Sequence, residues 1–345
     1  MSPGRPRILV APDSFKGTLS ALEVAAALAA GIEAGGGEPD LCPLADGGEG
    51  TAAAFLAARG GSSFQVEAHD PLGRPVGASF VILDGGGEAV VDTAAASGLA
   101  LLAADERDPL RASTAGTGEL IAAAIEAGAR RVLVAAGGSA TVDGGRGAIE
   151  VLRAANAEAP GMRELLRSSD GEAVELVVLC DVRSPFEDAA AVFGPQKGAD
   201  PEAVRTLSAR LDAFAATLPR DPRGVPMSGC AGGLSGGLWA AFGAELAPGA
   251  LRVFELLDFD RRLARADLVV SGEGRLDAQS LEGKVVGEVL DRCAAHGREL
   301  ALVVGENALG PDRLPSPPLR SLERAGDPAA LRAAGRRLAA AVARA

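Results

Sequence analysis

Short runs of aliphatic and β-branched residues alternate with longer Ala-rich stretches of helical character from end to end, the pattern of an α/β protein with a mainly parallel sheet. The apolar runs are too short for helices and are bounded by Gly, Pro or Asp. They are expected as strands at Ile8–Ala11, Phe64–Ala68, Ser79–Leu83, Ala89–Val91, Val132–Ala135, Val174–Leu179, Leu268–Val270 and Leu300–Val304. Ser20 with Glu23 three residues on is a capping-box signature for a helix that runs to about Ala34 and stops at Gly35-Gly36-Gly37. Further helices are expected at Glu119–Ala127, Gly145–Ala155, Pro201–Leu218, Val285–His296 and Pro328–Ala343.

From about Ser63 to Asp92 the pattern changes, because three strands follow one another across Gly-rich turns with no helix between them. Such an antiparallel segment marks a second domain. It is expected to span 63–252, ending after the tract G-C-A-G-G-L-S-G-G, with 1–62 and 253–345 forming the first domain. There is no tandem repeat; the nearest thing to a linker is L-P-S-P-P-L near Pro315.

Composition narrows the chemistry. The length of 345 residues fits about two domains. With 48% hydrophobic residues but only Phe 10, Trp 1 and Tyr 0, the core must be built from Ala, Val, Leu and Ile. Tyrosine chemistry is excluded, and two distant histidines, His69 and His296, argue against a His-rich zinc site. A net charge of −12 and a pI near 4.8 argue against a nucleic-acid partner. The four cysteines stand singly, as reduced thiols do, and the N-terminal apolar run is too short for a signal peptide or a membrane span. A cytoplasmic protein without a membrane partner is expected.

The informative residues follow the strands, where open α/β sheets bind ligands. The first strand leads into P-D-S-F-K-G (Asp13, Ser14, Lys16), another ends at Asp92-Thr93, another runs into G-G-S-A-T-V-D-G-G, another into Cys180-Asp181 and another into S-G-E-G-R-L-D. The loop A-D-G-G-E-G (Asp46, Glu49) precedes a helical run. The N–H groups of Gly137–Gly145, with the Ser139 and Thr141 hydroxyls, suit a phosphate at a helix N-terminus, although many such turns bind nothing. Neither G-x-x-x-x-G-K-[ST] nor a G-x-G-x-x-G after the first strand is present. Taken singly, each acidic residue is an ordinary cap or surface group. Gathered at one edge they would repel one another unless cations intervened, and Lys16, Lys197, Arg275 and Lys284 are the candidates in a chain with few lysines. Carboxylates, glycine loops and scarce histidine suit magnesium-dependent phosphoryl transfer, with a carboxylate taking the acceptor's proton. A small-molecule kinase is thereby favoured over a metal-dependent hydrolase or lyase.

The same motifs closely resemble the bacterial type I glycerate kinase family. The matching segments are A-P-D-S-F-K-G-T-L-S-A from Ala11, A-D-G-G-E-G-T from Ala45, D-P-L-G from Asp70, A-A-A-S-G-L from Ala94, G-T-G-E-L from Gly116, G-G-S-A-T from Gly137, F-G-P-Q-K-G-A from Phe193 and S-G-E-G-R-L-D-A-Q-S from Ser271. The resemblance implies a Rossmann-like parallel α/β domain and a second mixed α/β domain with the active site in the cleft between them. It implies transfer of the ATP γ-phosphoryl group to D-glycerate with magnesium, giving 2-phosphoglycerate. Carried over, Asp13, Lys16, Asp46 and Asp277 are the catalytic candidates, Lys16 or a nearby cation holding the glycerate carboxylate and one of the three aspartates acting as base. Ser14, Glu49, Glu273 and Arg275 line the substrate site, while Gly137, Gly138, Ser139, Thr141, Asp181 and Lys197 hold the nucleotide. This chain departs from the family pattern at Val142, where Asn is usual, at S-P-F-E-D after Val182, and in an abbreviated stretch between Arg153 and Val174. Those departures motivate a rival reading, a non-catalytic sensor of sugar-acid metabolites; a kinase of another small hydroxy acid is a further alternative.

Overall fold

The computed structural model describes residues 5–15, 17–155, 172–281, 284–309 and 318–344. Lys16, most of the abbreviated stretch before Val174 and much of L-P-S-P-P-L lie outside the described residues. Along the chain the elements are β1 (Arg7–Val10), α1 (Ala21–Ala34), β2 (Glu38–Leu41), α2 (Thr51–Arg59), β3 (Gly61–His69), β4 (Pro75–Leu83), β5 (Glu88–Asp92), α3 (Ala94–Ser97), α4 (Ala115–Glu126), β6 (Arg131–Ala135), α5 (Arg146–Ala155) and β7 (Glu175–Cys180). There follow α6 (Ala189–Phe193), α7 (Pro201–Ala215), α8 (Leu234–Phe242), β8 (Glu245–Pro248), α9 (Gly249–Leu256), α10 (Phe259–Leu263), β9 (Leu268–Ser271), β10 (Arg275–Leu276), α11 (Val285–Ala295), β11 (Leu300–Val304), β12 (Glu306–Asn307), β13 (Leu319–Arg324) and α12 (Pro328–Val342).

The chain forms two compact units, one of residues 1–46 and 250–345, the other of residues 47–249. The first crossing comes earlier than the residue pattern places it, because α2 packs on β4 and β5 and so travels with the second unit. The loop A-D-G-G-E-G is divided by it, Asp46 falling in the first unit and Glu49 in the second.

In the first unit five parallel strands take the order β13-β11-β9-β1-β2. The chain winds outward from β1 to β2, then resumes on the other side of β1 at β9 and winds outward again, so the switch point lies between β1 and β9. Ser20 caps α1 as expected, its side chain accepting from the Glu23 N–H while the Glu23 carboxylate accepts from the Ser20 N–H. The core is aliphatic: Ile8, Val10, Val270 and Val303 of the sheet meet Val24, Leu28 and Ile32 of α1 and Leu331 of α12.

The second unit holds a six-stranded mixed sheet, β3-β4-β5-β6-β7-β8. The β3–β4–β5 section is antiparallel, as the helix-free stretch before Asp92 predicts, and β5 to β8 are parallel. Val132, Val134 and Val178 form its core with Leu120, Ile121 and Ile149. The tract G-C-A-G-G-L-S-G-G leads into and opens α8, and the unit ends after it, at residue 249. A side chain at Gly237 would stand 2.1 Å from the Gly144 carbonyl oxygen, so glycine there permits the helix to lie against that turn. Trp239 of α8 carries the Arg220 guanidinium 4.3 Å over its ring.

One backbone contact in the first unit admits no side chain. A Cβ on Gly272, just past β9, would stand 1.7 Å from the Val303 carbonyl oxygen of β11. Gly272→Ala is therefore expected to destabilise the protein by about 1–3 kcal/mol through overpacking, read as a lower urea midpoint at unchanged slope; an unchanged midpoint would refute this account.

Candidate active site

A cavity of about 380 Å³ opens at the carboxyl edge of the first unit's sheet, at the β1/β9 switch point. Asp13 and Ser14 reach it from the end of β1, and Glu273, Arg275 and Asp277 from the segment after β9. Lys284, ahead of α11, also lines it, as do Gly305 and Gly326 beyond β11 and β13. Five of the expected site residues are thus brought together, and two of the expected counter-charges, Arg275 and Lys284, are in the group. Asp46 does not line this cavity.

The ladder between β1 and β9 continues past the strands, with the Ala11 N–H donating to the Val270 carbonyl and the Asp13 N–H to the Gly272 carbonyl, each at 2.8 Å. The Ser271 hydroxyl donates to the Ala11 carbonyl at 2.7 Å and is fully buried. Asp13 therefore has a fixed backbone; it is 8% exposed, and its Oδ1 accepts from the Ser14 N–H at 2.7 Å. Asp277 is held by a reciprocal turn in which its N–H donates to the Ser280 hydroxyl (3.0 Å) and the Ser280 N–H donates to Asp277 Oδ1 (3.3 Å). Arg275 is exposed and only 3.9 Å from Glu306, a loose surface pair that leaves the guanidinium available to an anion.

The second unit uses the same edge of its own sheet. The Thr93 N–H donates to the Ala135 carbonyl (2.9 Å) and the Ala136 N–H to the Leu179 carbonyl (3.1 Å), carrying the β5–β6–β7 ladder into the loops. The loop Gly137–Thr141 is then clamped by the Leu99 N–H on the Gly138 carbonyl and by the Ala140 N–H on the Ser97 carbonyl. Gly137 abuts Gly48, whose Cα lies 2.5 Å from where a Cβ would stand; Asp181 Oδ2 is 3.4 Å from the same point, and Glu49 borders Gly138. Glu49, Gly137, Gly138 and Asp181 are thus neighbours, with both carboxylates exposed.

Lys197 departs from the simple picture of a phosphate-binding lysine. It is 4% exposed, and its ammonium donates to the Ser139 hydroxyl and the Thr141 carbonyl, both at 2.8 Å, so two of its three N–H groups brace the loop itself. Burial pushes it down to about 8, against the pull of Asp181, Asp143 and the Cys230 thiol. The Thr141 hydroxyl in the same loop, and that of Thr93 just past β5, are buried with no hydrogen-bond partner among the described residues.

Two other acidic residues at this edge are structural. Asp92 accepts from the Gly50 and Ala52 N–H groups (2.9 and 3.0 Å), capping α2 from outside, and burial pushes it up to about 6. Asp143 accepts from the Thr114 N–H and hydroxyl and from the N–H groups of Gly145 and Gly147, tying the starts of α4 and α5 together. Val142 is 2% exposed and packs in the core of this unit.

An acidic cavity at a parallel-sheet switch point, and in the other unit a glycine loop braced by a buried ammonium, define the chain as a small-molecule kinase of α/β build. The chain belongs to the glycerate kinase family, whose model matches residues 8–322. It is 40% identical over 307 residues to a glycerate kinase of Bacillus subtilis (strain 168), covering 81% of this chain and 79% of that one. It is 39% identical over 307 residues to the glycerate 2-kinase of Escherichia coli (strain K12), covering 81% and 80%. A Salmonella typhimurium LT2 crystal structure described as glycerate kinase 2 superposes with a TM-score of 0.80 at 33% identity, covering 98% of both chains.

The Lys197 environment has a pH signature. The folded-state value near 8 lies below the ordinary 10.5, so between these limits the unfolded chain binds more protons and this group's contribution to stability rises with pH. Raising pH from about 7 to about 10 should accordingly move the urea midpoint of wild type upward relative to that of Lys197→Met; a constant gap would show that the ammonium is not desolvated.

Proposed function

We propose that the chain phosphorylates D-glycerate with ATP and magnesium, giving 2-phosphoglycerate, and that it does so in the cytoplasm. The observation that carries this reading is the first unit's cavity, which gathers Asp13, Glu273 and Asp277 with Arg275 and Lys284. A hydroxy acid needs a cation for its carboxylate and a base for its hydroxyl, and both residue types stand there. Arg275 and Lys284 hold the glycerate carboxylate, with Ser14 beside them; Lys16, in the same loop as Asp13, is a further candidate. Asp13 takes the hydroxyl proton, since it is the buried carboxylate of the set and its backbone is fixed on Gly272. Asp277 lines the same cavity, and Asp46 falls to a supporting place.

The N–H groups of Gly138, Ser139 and Thr141 receive phosphate oxygens, those of Gly137 and Ala140 being given to the Gly47 and Ser97 carbonyls, and Lys197 acts through the loop, keeping positive charge beneath it. Glu49 and Asp181 border that loop. Magnesium is commonly held by one or two carboxylates together with phosphate oxygens. No group of three or more ligating side chains stands together among the described residues, which fits a cation brought by the nucleotide, with Glu273 or Asp277 completing its shell. Bound there, it neutralises phosphate charge. Support for the 2-phosphate comes from the Escherichia coli relative, named glycerate 2-kinase. Among the described residues no helix is long and apolar enough to cross a membrane.

Incubation with D-glycerate, ATP and magnesium, followed by phosphorus NMR of the product, tests the reaction; no ATP-dependent consumption of glycerate would overturn it. Asp13→Asn is expected to lower kcat by about 10²–10⁴-fold with little change in the urea midpoint, and full activity in that variant would remove Asp13 as base.

A further inference from the structure

Next to the glycine loop, the second unit contains another cavity, of about 410 Å³, within the size range of pockets for organic ligands. Val142 and Asp143, which follow Thr141 directly, form part of its wall. Its floor is apolar, made by Leu207, Leu211 and Phe214. Three guanidinium groups reach it from separate segments: Arg111 ahead of α4, Arg146 at the first residue of α5, and Arg210 from α7.

The charge of this cavity is unusual for the molecule. The chain carries a net charge of −12, and many of its arginines stand against carboxylates, as Arg7, Arg59, Arg74, Arg262, Arg292 and Arg337 do. Arg111, Arg146 and Arg210 form no ion pair among the described residues. Arg210 donates to the Leu110 carbonyl at 2.8 Å, and Arg146 lies 4.7 Å over the Phe214 ring. Asp143 also faces the cavity, but four hydrogen bonds from Thr114, Gly145 and Gly147 already occupy its carboxylate. Glu150 is exposed at the wall.

A three-carbon acid has no apolar body to set against this floor, in which Phe214 is 8% exposed and Leu207 and Leu211 are buried behind it. A nucleoside polyphosphate has both parts, a flat base for an apolar and arginine-stacked floor and an anionic chain for guanidinium groups. We infer that this cavity receives the nucleoside end of the phosphoryl donor. Phe214, Leu207 and Leu211 take the base and ribose, Arg111, Arg146 and Arg210 take the proximal phosphates, and the adjoining Gly137–Thr141 loop is left for the terminal ones. This rests on the reading of ATP as donor and adds where, and by which residues, the nucleotide is recognised.

Calorimetric titration with ADP tests it, because the measurement needs no turnover. All three arginines are exposed, so an Arg111→Ala/Arg210→Ala double variant should keep its fold, with Arg146→Lys as a milder companion. The double variant is expected to lose at least about tenfold in ADP affinity, and the KM for ATP should rise by a similar factor while that for D-glycerate stays put. Wild type that binds no ADP, or binding that is unchanged in the double variant, would overturn the assignment. Were the enzyme then still to phosphorylate glycerate with ATP, the proposed function would stand without this cavity. Loss of ADP affinity in the variant, with wild type inactive on glycerate, would keep the cavity and discard the substrate. Weakened ADP binding with an unchanged KM for ATP would mean a second nucleotide binds here, which also overturns the assignment to the donor.

Discussion

Hydrogen bonding between parallel strands does not stop where the strands do, and the placing of this protein's candidate site depends on that continuation. In the first unit the β1–β9 ladder runs on through Ala11 and Asp13, so a carboxylate that is almost fully buried leaves the sheet at a fixed point. In the second unit the β5–β6–β7 ladder runs on through Thr93 and Ala136 and delivers a glycine loop in the same way. Loops are normally the mobile parts of a fold, but these are extensions of rigid sheets. Their positions follow from strand register, and the register follows from which aliphatic faces are buried.

An acidic protein that handles anions must keep most of its negative charge away from its substrates or neutralise it. Much of the neutralisation is local and structural. Asp92 and Asp143 are spent on backbone N–H groups at helix starts, and Asp70 closes the D-P-L-G turn by accepting from the N–H groups of Leu72 and Arg74 and from the Arg74 side chain. Although burial alone would raise it, those bonds hold the Asp70 carboxyl below its usual range. The carboxylates that line the first unit's cavity are therefore a minority, selected by topology from a large acidic population. Positive charge is even scarcer on the lysine side: the chain has three, Lys16, Lys197 and Lys284, and Lys197 serves a loop from beneath.

What was legible in the sequence was what short-range patterns encode. Aliphatic runs located the central strands, Ser20 and Glu23 located a helix start, and polar residues after β1 and β9 were rightly placed at one edge, because parallel topology sends every strand end the same way. Two edge strands, Glu38–Leu41 and Glu245–Pro248, were missed for a physical reason: they are covered on fewer sides and carry polar residues where central strands carry Val and Leu. Helix α8 was missed because Gly236 and Gly237, which read as breakers, are there for close packing against Ser228 and Gly144. The role of Lys197 as a brace was hidden because a lysine in a glycine-rich motif looks the same whether it faces solvent or the loop's underside. Arg111, Arg146 and Arg210 each read as a solvated surface residue, since their adjacency is purely tertiary.

The absence of tyrosine serves at first only to exclude a chemistry, and the single Trp239 only to describe the core. In the folded protein they make a natural optical label. Excited near the tryptophan band, the molecule emits from one place, on α8, a helix that touches the Gly144 turn and has an arginine stacked on the emitting ring. Its fluorescence reports on the second unit, so a ligand that settles beside α8 can be followed there without attaching a dye.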